Sequence, residues 1–204
     1  MVSLAGLLAT GEVRAHDVAD ALEYPISDLV CSLPGSPFKP DIAYPDTIRD
    51  LSKKWARIFE IPSSWIISQA YAESRNHPLA ENPSGATGAL QIKIVRALDL
   101  VKWMQSSKWW GHDLVQATLA LYWHGLRSDL LNPDLNIMLA AFDLHHLSRR
   151  FGQDHDIVAA AYNQGEGAIA RWRQEQRFNK TLPLPPRAAV YVARVKGAKR
   201  RGYI

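Results

Sequence analysis

Residues 65–92 limit the possible folds of this chain most strongly, because they place a carboxylate at the end of an apolar helix face. Pro62 suits the first turn of a helix, where its missing N–H costs nothing. Ile66, Ala70 and Glu73 follow at helical spacing and fall on one face. Apolar surroundings raise the pKa of a carboxyl, and a carboxyl protonated near neutral pH can act as a general acid. The alternative is a glutamate at a helix end that reaches into solvent.

A loop of small residues follows this helix and ends in an amide. Small residues allow the backbone to approach another molecule closely, and here they are Gly85, Ala86, Gly88 and Ala89. Gln91 comes directly after them with a side chain that can both donate and accept hydrogen bonds. The segment 75–92 is therefore predicted to be a loop region, with a small hairpin around residues 89–92.

The order of acid, small-residue loop and amide resembles the signature of the lytic transglycosylase family. That family motif reads Glu-Ser, followed by Gly-Ala-x-Gly-Leu-Met-Gln. The present chain has Glu73-Ser74 and then residues 85–91, with Ala89 and Leu90 in place of the Leu-Met pair. Both replacements remain apolar, although leucine lacks the soft sulfur of methionine.

A second stretch also resembles the family. Ala160-Ala161-Tyr162-Asn163-x-Gly165 matches a motif in which the tyrosine and asparagine line the cleft near the acid. An ordinary helix C-cap with Gly165 in the left-handed conformation is the alternative, and both can hold at once.

A third stretch resembles the final helix of the family, with Tyr191 in its Tyr-Val pair. The family often has Glu-Thr just before it, where this chain has Arg187 and Ala188. This departure removes a carboxylate from the expected cleft wall. The preceding helix, predicted over 168–178, carries an arginine run that is predicted to be solvated: Arg171, Arg173 and Arg177.

The middle of the chain is predicted to contain a long buried helix that begins at Pro133 or Asp134. Its apolar side consists of Leu135, Met138, Leu139, Phe142, Leu147 and Phe151. Asn132 and Asn136 resemble the family's Asn-x-x-x-Asn-Ile segment, while its later tyrosine appears here as Asp143. The adjacent pair His145-His146 invites a metal site, but neighbouring positions do not share a helix face, so a solvated or capping role is preferred.

Two further helices are predicted from local patterns. Asp46 can cap a helix that begins at Thr47, and this helix has an apolar stripe of Ile48, Leu51, Trp55 and Ile58. Residues 94–110 are also helix-like and rich in tryptophan. Glycan stacking and core packing both remain open there, with core packing preferred for Trp103 and Trp123. Trp109 and Trp110 cannot both face inward on a helix, so one is predicted near the surface.

The resemblance implies a mainly α, lysozyme-like domain over residues 46–204, with a small loop or hairpin beside the active site. It implies a lyase-type enzyme that cleaves the β-1,4 bond between N-acetylmuramic acid and N-acetylglucosamine in peptidoglycan and forms 1,6-anhydromuramic ends. Glu73 is the expected catalytic acid, and neither a metal nor a cofactor is expected. The expected substrate-binding residues are Ser74, Leu90, Gln91, Tyr162, Asn163 and Tyr191.

Two other functions remain open. A hydrolytic, lysozyme-like enzyme or endolysin often needs a second carboxylate, and the candidates in sequence are Glu81, Asp99 and Glu166. None of the three lies at a position that indicates this role. A wall-binding virion module with weak activity is the second alternative, favoured by Leu90 and by the pair Arg187-Ala188.

Residues 1–45 are predicted to form an N-terminal extension or docking arm, because five prolines interrupt them: Pro25, Pro34, Pro37, Pro40 and Pro45. The start of the chain is a poor match to a signal peptide, and no apolar run approaches the ~20 residues of a membrane span. The net charge of +4 is too small to indicate a nucleic-acid partner. The expected partners are glycan strands and, through the arm, phage virion proteins. The expected location is the virion, acting in the bacterial wall; the alternative is the host cytoplasm before holin-mediated release.

Overall fold

The computed structural model describes residues 44–200, with the side chains of residues 46–198. The helices are α1 (Tyr44–Ile58), α2 (Ser63–Ser74), α3 (Ile94–Gln105), α4 (Asp113–Tyr122), α5 (Pro133–Phe151), α6 (His155–Gln164), α7 (Glu166–Phe178) and α8 (Pro186–Arg200). Short 3-10 helices occupy Lys108–Gly111 and Arg127–Leu131. The predicted arm falls outside the described residues up to residue 43, so the domain boundary stays a prediction.

Helix α5 lies at the centre of the fold. Its middle is buried on every side and is mostly apolar, as expected for a helix surrounded by others. Helix α1 packs against α2 and α5, α6 packs against α5, and α8 packs against α6 and α2. Helix α5 begins as predicted. The Asn132 side chain accepts hydrogen bonds from the backbone N–H groups of Asp134 and Leu135, and Pro133 occupies the first turn.

An ion pair joins α1 to the start of α5. Lys54 Nζ lies 2.8 Å from the Asp134 carboxylate, and the Trp55 indole N–H donates to the same carboxylate at 2.6 Å. The predicted stripe on α1 is confirmed, since Ile48 and Trp55 are buried while Leu51 and Ile58 pack at the edge of the core. The predicted start was wrong, because α1 begins at Tyr44. Asp46 therefore lies in the first turn, where the helix dipole favours a negative charge.

A two-stranded hairpin follows α2. Strand β1 (Ala86–Thr87) pairs antiparallel with β2 (Ile92–Lys93), so residues 88–91 form the turn between the strands rather than the strands themselves. Gly88 has φ +80, and a Cβ at this position would come closer than 3.0 Å to the Asn136 side chain and the Leu130 carbonyl. Only glycine fits there, because both the backbone angle and the space exclude a side chain.

The tryptophan-rich segment is not one helix. Helix α3 ends at Gln105, and Ser107 caps a 3-10 turn that contains the tryptophan pair. Trp109 is buried and Trp110 is 37% exposed, so the prediction that one of them faces outward is confirmed. Trp103 and Trp123 are partly buried against the core, in line with the preferred packing role.

Helix α6 ends at Gln164, and its C-cap residue Gly165 has φ +86 and ψ 148. This is a positive-φ cap but not the left-handed helical conformation, so that detail of the prediction was wrong.

Among the described residues, no helix is both long and apolar enough to cross a membrane.

Candidate active site

Glu73 lies in the last turn of α2, directly before the backbone turns away. Arg75 and Asn76 both have positive φ and end the helix. Ile66 and Ala70, on the same helix face, are fully buried, and Glu73 itself is only partly exposed. Burial raises the pKa of Glu73 to about 7, while the Tyr191 hydroxyl and the positive charge of Arg194 act in the opposite direction. The carboxyl can therefore both give and take a proton near neutral pH.

Two tyrosines lie near this carboxyl, Tyr191 buried and Tyr162 partly buried. The Tyr191 hydroxyl lies close enough to Glu73 to favour its charged form, although the contact does not reach the geometry of a formed hydrogen bond. The Tyr162 hydroxyl donates to the Leu90 carbonyl at 2.8 Å. Burial and the charge of Glu73 raise the pKa of both phenols well above the usual value. Both side chains therefore stay protonated: Tyr162 uses its proton to hold the Leu90 carbonyl, and Tyr191 keeps a donor beside the acid.

Ser74 connects the end of α2 to the hairpin turn. Its hydroxyl donates to the Ala89 carbonyl at 2.8 Å and accepts from the His77 backbone N–H at 3.1 Å. The side chain is buried. Ser74 thus fixes the position of the turn relative to Glu73, and its predicted contact with a substrate stays a prediction.

Gln91 is held inside the loop by all parts of its amide. Its nitrogen donates to the carbonyls of Ala80 at 3.1 Å and Gly88 at 2.9 Å, and its oxygen accepts from the Asn82 amide at 3.0 Å. The residue itself has φ 49. The amide therefore stabilises the loop conformation in this structure, and its predicted binding role is untested.

Asn136 makes hydrogen bonds to both ends of the hairpin turn. The sequence identifies this residue only as part of a family motif. Its buried side-chain oxygen accepts from the Leu90 N–H at 2.9 Å, and its nitrogen donates to the Thr87 carbonyl at 3.0 Å. It also sits against Gly88. The only sequence signal for this role is an amide on the buried face of an apolar helix, where a polar group needs a partner.

Leu90 and Asn163 differ in exposure, and the substrate contact predicted for each stays a prediction. The Leu90 side chain is fully buried, and its backbone carbonyl holds Tyr162. Asn163 is exposed at the end of α6, where its oxygen accepts from Gln164 Nε2 at 2.5 Å. No described contact joins Asn163 to Glu73.

An ion network behind Tyr162 was missed in the sequence. Arg96 donates to both oxygens of the buried Asp143 carboxylate and to Glu166 at 2.9 Å. Burial lowers the pKa of Arg96, but Asp143 and Glu166 raise it to a greater extent. The charges of Asp143 and Arg96 also influence Tyr162. The network joins α3, α5 and the start of α7 next to the site.

The same network changes the interpretation of His146 and Glu166. His146 stacks on Trp103 with ring centroids 4.7 Å apart and lies 3.4 Å from Glu166. His145 meets the edge of Trp109. Both histidines are partly buried, so they are not simply solvated. The His145 side chain also interacts with the backbone of Phe59, directly after α1, which is in line with the capping alternative. In the described part of the chain, no group of three His, Cys, Asp or Glu residues is placed to hold a metal.

None of the three candidates for a second carboxylate is shown beside Glu73. Glu166 binds Arg96 and Arg150. Burial raises the pKa of Glu166, but Arg96 and His146 lower it to a greater extent. Glu81 is exposed and lies 3.7 Å from Arg127, and Asp99 is exposed on α3. Arg187, at the position of the missing family carboxylate, is exposed as well.

Comparisons with known proteins identify the family of this chain. A sequence profile described as "Transglycosylase SLT domain" matches residues 50–184. The chain is 26% identical over 161 residues to the soluble lytic murein transglycosylase of Escherichia coli K12, covering 79% of this chain and 22% of that protein. The same-named protein of Salmonella typhimurium is 25% identical over the same length. The chain thus spans about a fifth of the length of these curated relatives.

Solved structures show the same fold. The 70 kDa soluble lytic transglycosylase of Escherichia coli superposes with a TM-score of 0.52 at 28% identity, covering 76% of this chain and 22% of that chain. An inactive mutant of the lytic transglycosylase Slt of Pseudomonas aeruginosa superposes with a TM-score of 0.58 at 21% identity, covering 89% and 28%. The second likeness supports the fold alone. The mainly α, lysozyme-like architecture predicted from the sequence is confirmed.

Proposed function

Because this chain belongs to the transglycosylase SLT domain family, we propose that it is a lyase-type enzyme acting on peptidoglycan. It cleaves the β-1,4 bond between N-acetylmuramic acid and N-acetylglucosamine and leaves a 1,6-anhydromuramic end. The observation that carries the proposal is the Glu73 carboxyl, whose pKa is raised by burial to about 7. About half of such groups hold a proton at neutral pH, which suits a residue that must act first as an acid and then as a base.

In the first step, Glu73 donates its proton to the glycosidic oxygen. The C1–O bond breaks, and the acetamido group of the substrate stabilises the cationic carbon. The apolar wall of α2 around the carboxyl favours its neutral form before this step. Tyr191, which faces the carboxyl, favours the charged form afterwards. The two influences together keep the pKa of Glu73 near the working pH.

In the second step, the Glu73 carboxylate takes the proton of the C6 hydroxyl of muramic acid. The C6 oxygen attacks C1 and closes the 1,6-anhydro ring, and no water is consumed. One carboxyl is therefore sufficient for the whole reaction. Among the described residues, no carboxylate contributes to the shifted pKa of Glu73, which supports this route over a hydrolysis that uses two carboxylates.

The test is a digest of purified peptidoglycan whose products are resolved by mass spectrometry, for the native protein and for Glu73→Gln. Anhydromuropeptides that disappear in the variant are the expected result. Products heavier by one water, with reducing ends, would indicate a hydrolase. An absence of products from both proteins, with retained binding to the wall, would make the wall-binding module the correct function.

The matched control is Asp99→Asn, which removes an exposed carboxylate on α3. It changes the net charge by the same amount as Glu73→Gln but leaves the site intact. Full activity in this control and none in Glu73→Gln separates the loss of the acid from a general effect of charge.

We also propose that the enzyme is carried in a phage virion and opens the wall during infection. The support is the proline-interrupted segment 1–45, which is expected to dock on virion proteins. Mass spectrometry of purified particles should detect the chain. Particles that lack it would leave the alternative, an enzyme held in the host cytoplasm until a holin releases it.

A further inference from the structure

A groove of about 800 Å³ runs between the end of α5 and the length of α7, away from the carboxyl of Glu73. Its walls carry four cations: Arg150, Arg173, Arg177 and Lys180. The other side chains that line it are apolar or are glutamines, and no carboxylate is among them. A groove lined by charge of one sign concentrates ligands of the opposite sign.

Most of this positive charge is not neutralised within the described residues. Arg150 donates to Glu166 at 2.9 Å, and Arg173 lies over the Phe151 ring at 6.0 Å. No described carboxylate pairs with Arg173, Arg177 or Lys180. The arginines of α7 were expected to form an ordinary solvated face, but two of them line a groove together with a residue of another helix.

The arrangement of the cations favours an extended anion over a single small one. Arg173 and Arg177 are one helical turn apart on the same face of α7, about 6 Å along the axis, and Lys180 continues the row just after the helix ends. Guanidinium groups bind carboxylates with two parallel hydrogen bonds. Phe151 and Ala170, which also line the groove, add apolar surface for the uncharged part of a ligand.

One end of the groove is connected to the proposed active site. Glu166 binds Arg150 at the groove and Arg96 in the network beside Tyr162. Glu166 is also the first residue of α7, directly after the Gly165 cap of the helix that carries Tyr162. One carboxylate thus contacts both a cation of the groove and the network beside Tyr162.

We propose that this cationic groove is a second substrate-binding surface, which takes the carboxylate-bearing peptide substituents of the glycan strand. The inference rests on the proposed function, because peptidoglycan supplies a neutral sugar backbone with acidic peptides attached to it. The cleft binds the sugars, and the groove binds the acidic groups of the same strand. The enzyme then prefers peptide-bearing strands to strands stripped of peptides.

The variant that tests the groove is Arg177→Gln combined with Lys180→Gln, since both side chains are exposed and neither contributes a described contact to the core. The matched control is Arg171→Gln combined with Lys102→Gln. Arg171 lies on α7 and Lys102 on α3, both exposed and outside the groove, so the control loses the same charge elsewhere.

The first measurement is the ratio of kcat/KM on peptide-bearing strands to that on strands stripped of peptides by an amidase. Exposed ion pairs are individually weak, so the groove variant should lower this ratio about three- to tenfold. The loss should shrink as salt is raised, because salt screens exposed charges. The control should leave the ratio unchanged. An unchanged ratio in the groove variant, or an equal fall in the control, would overturn the inference.

The second measurement keeps this inference separate from the proposed reaction. Glu73→Gln protein, with and without the groove substitutions, is sedimented with peptide-bearing or peptide-free strands. Retention that depends on the groove cations only when peptides are present supports the groove, even if the native protein cleaves nothing. If the native protein cleaves the strands but retention is the same with and without the groove substitutions, the proposed role of the groove is refuted and the proposed reaction still stands.

Discussion

Replacing Asn136 with alanine should destabilise the fold and misplace the hairpin turn next to Glu73. The substitution removes two buried hydrogen bonds, to the Leu90 N–H and to the Thr87 carbonyl. A buried backbone group left without a partner costs about 1–3 kcal/mol. Because a carbonyl tolerates loss of one partner better than an N–H, we expect a total cost of about 3 kcal/mol. For a chain of this length that lowers Tm by roughly 6–12 °C.

The effect on activity follows from the position of the turn. Ser74, at the end of α2, donates to Ala89 within this turn, and Tyr162 is held by Leu90. A turn that shifts therefore moves groups on both sides of Glu73. We expect kcat/KM on peptidoglycan to fall at least tenfold at a temperature where the variant is still folded, as checked by circular dichroism.

The control for this prediction is Leu139→Ala on the same helix. Leu139 is fully buried, so its truncation costs about 2–5 kcal/mol through a cavity, but it makes no hydrogen bond to the turn. It should lose stability without a comparable loss of kcat/KM per folded molecule. Asn136→Ala with a cost below about 1 kcal/mol, or with the same activity as Leu139→Ala, would refute the reasoning.

Three further predictions follow from the same structure. Gly88→Ala should lower the free energy of unfolding in urea by several kcal/mol, because it adds a clash to a positive φ. Gly85→Ala has a similar φ but open space, so it should lower that free energy by only about 1–2 kcal/mol. Equal losses would contradict this. Arg96→Met should lower the free energy of unfolding by about 3–5 kcal/mol, because it leaves the buried Asp143 carboxylate unpaired. Adding Asp143→Leu should restore much of this stability. A double variant that is no more stable than Arg96→Met would count against the prediction. The pKa of Glu73 is raised from 4.5 to about 7, so its contribution to stability is present at low pH and is lost as pH rises through 7. Glu73→Gln does not titrate. The free energy of unfolding of this variant, minus that of the native protein, should therefore be up to about 3 kcal/mol larger at pH 8 than at pH 4. A stability difference between those two proteins that does not change with pH would refute it, and the activity of the native protein should fall above pH 7 as the acid form is lost.

Local patterns predicted much of the fold because their signals act over a few residues. The start of α5 could be predicted since Asn132 and Pro133 satisfy adjacent backbone groups. The burial of Glu73 could be expected because Ile66 and Ala70 are its neighbours on one helix face. The start of α1 and the break after Gln105 were missed, the second although Ser107 caps the 3-10 turn that follows.

The roles of polar residues inside the fold could not be predicted in the same way. Asn136 meets its partners across 46 and 49 residues of chain, and Arg96 meets Asp143 and Glu166 across 47 and 70 residues. Leu90 is a further case, because its place in a cleft motif predicts a substrate contact, while only the structure shows that its side chain is fully buried.

Residue order along this chain was sufficient to identify the family, the helical class and the position of the candidate acid, because those depend on spacing within one helix or one loop. Tertiary structure decided which groups surround that acid. Burial by α2 and its neighbours raises the pKa of Glu73, and the two buried phenols approach it from helices α6 and α8. The physical reason is that desolvation and charge act through space, so their strength is set only when distant segments pack together.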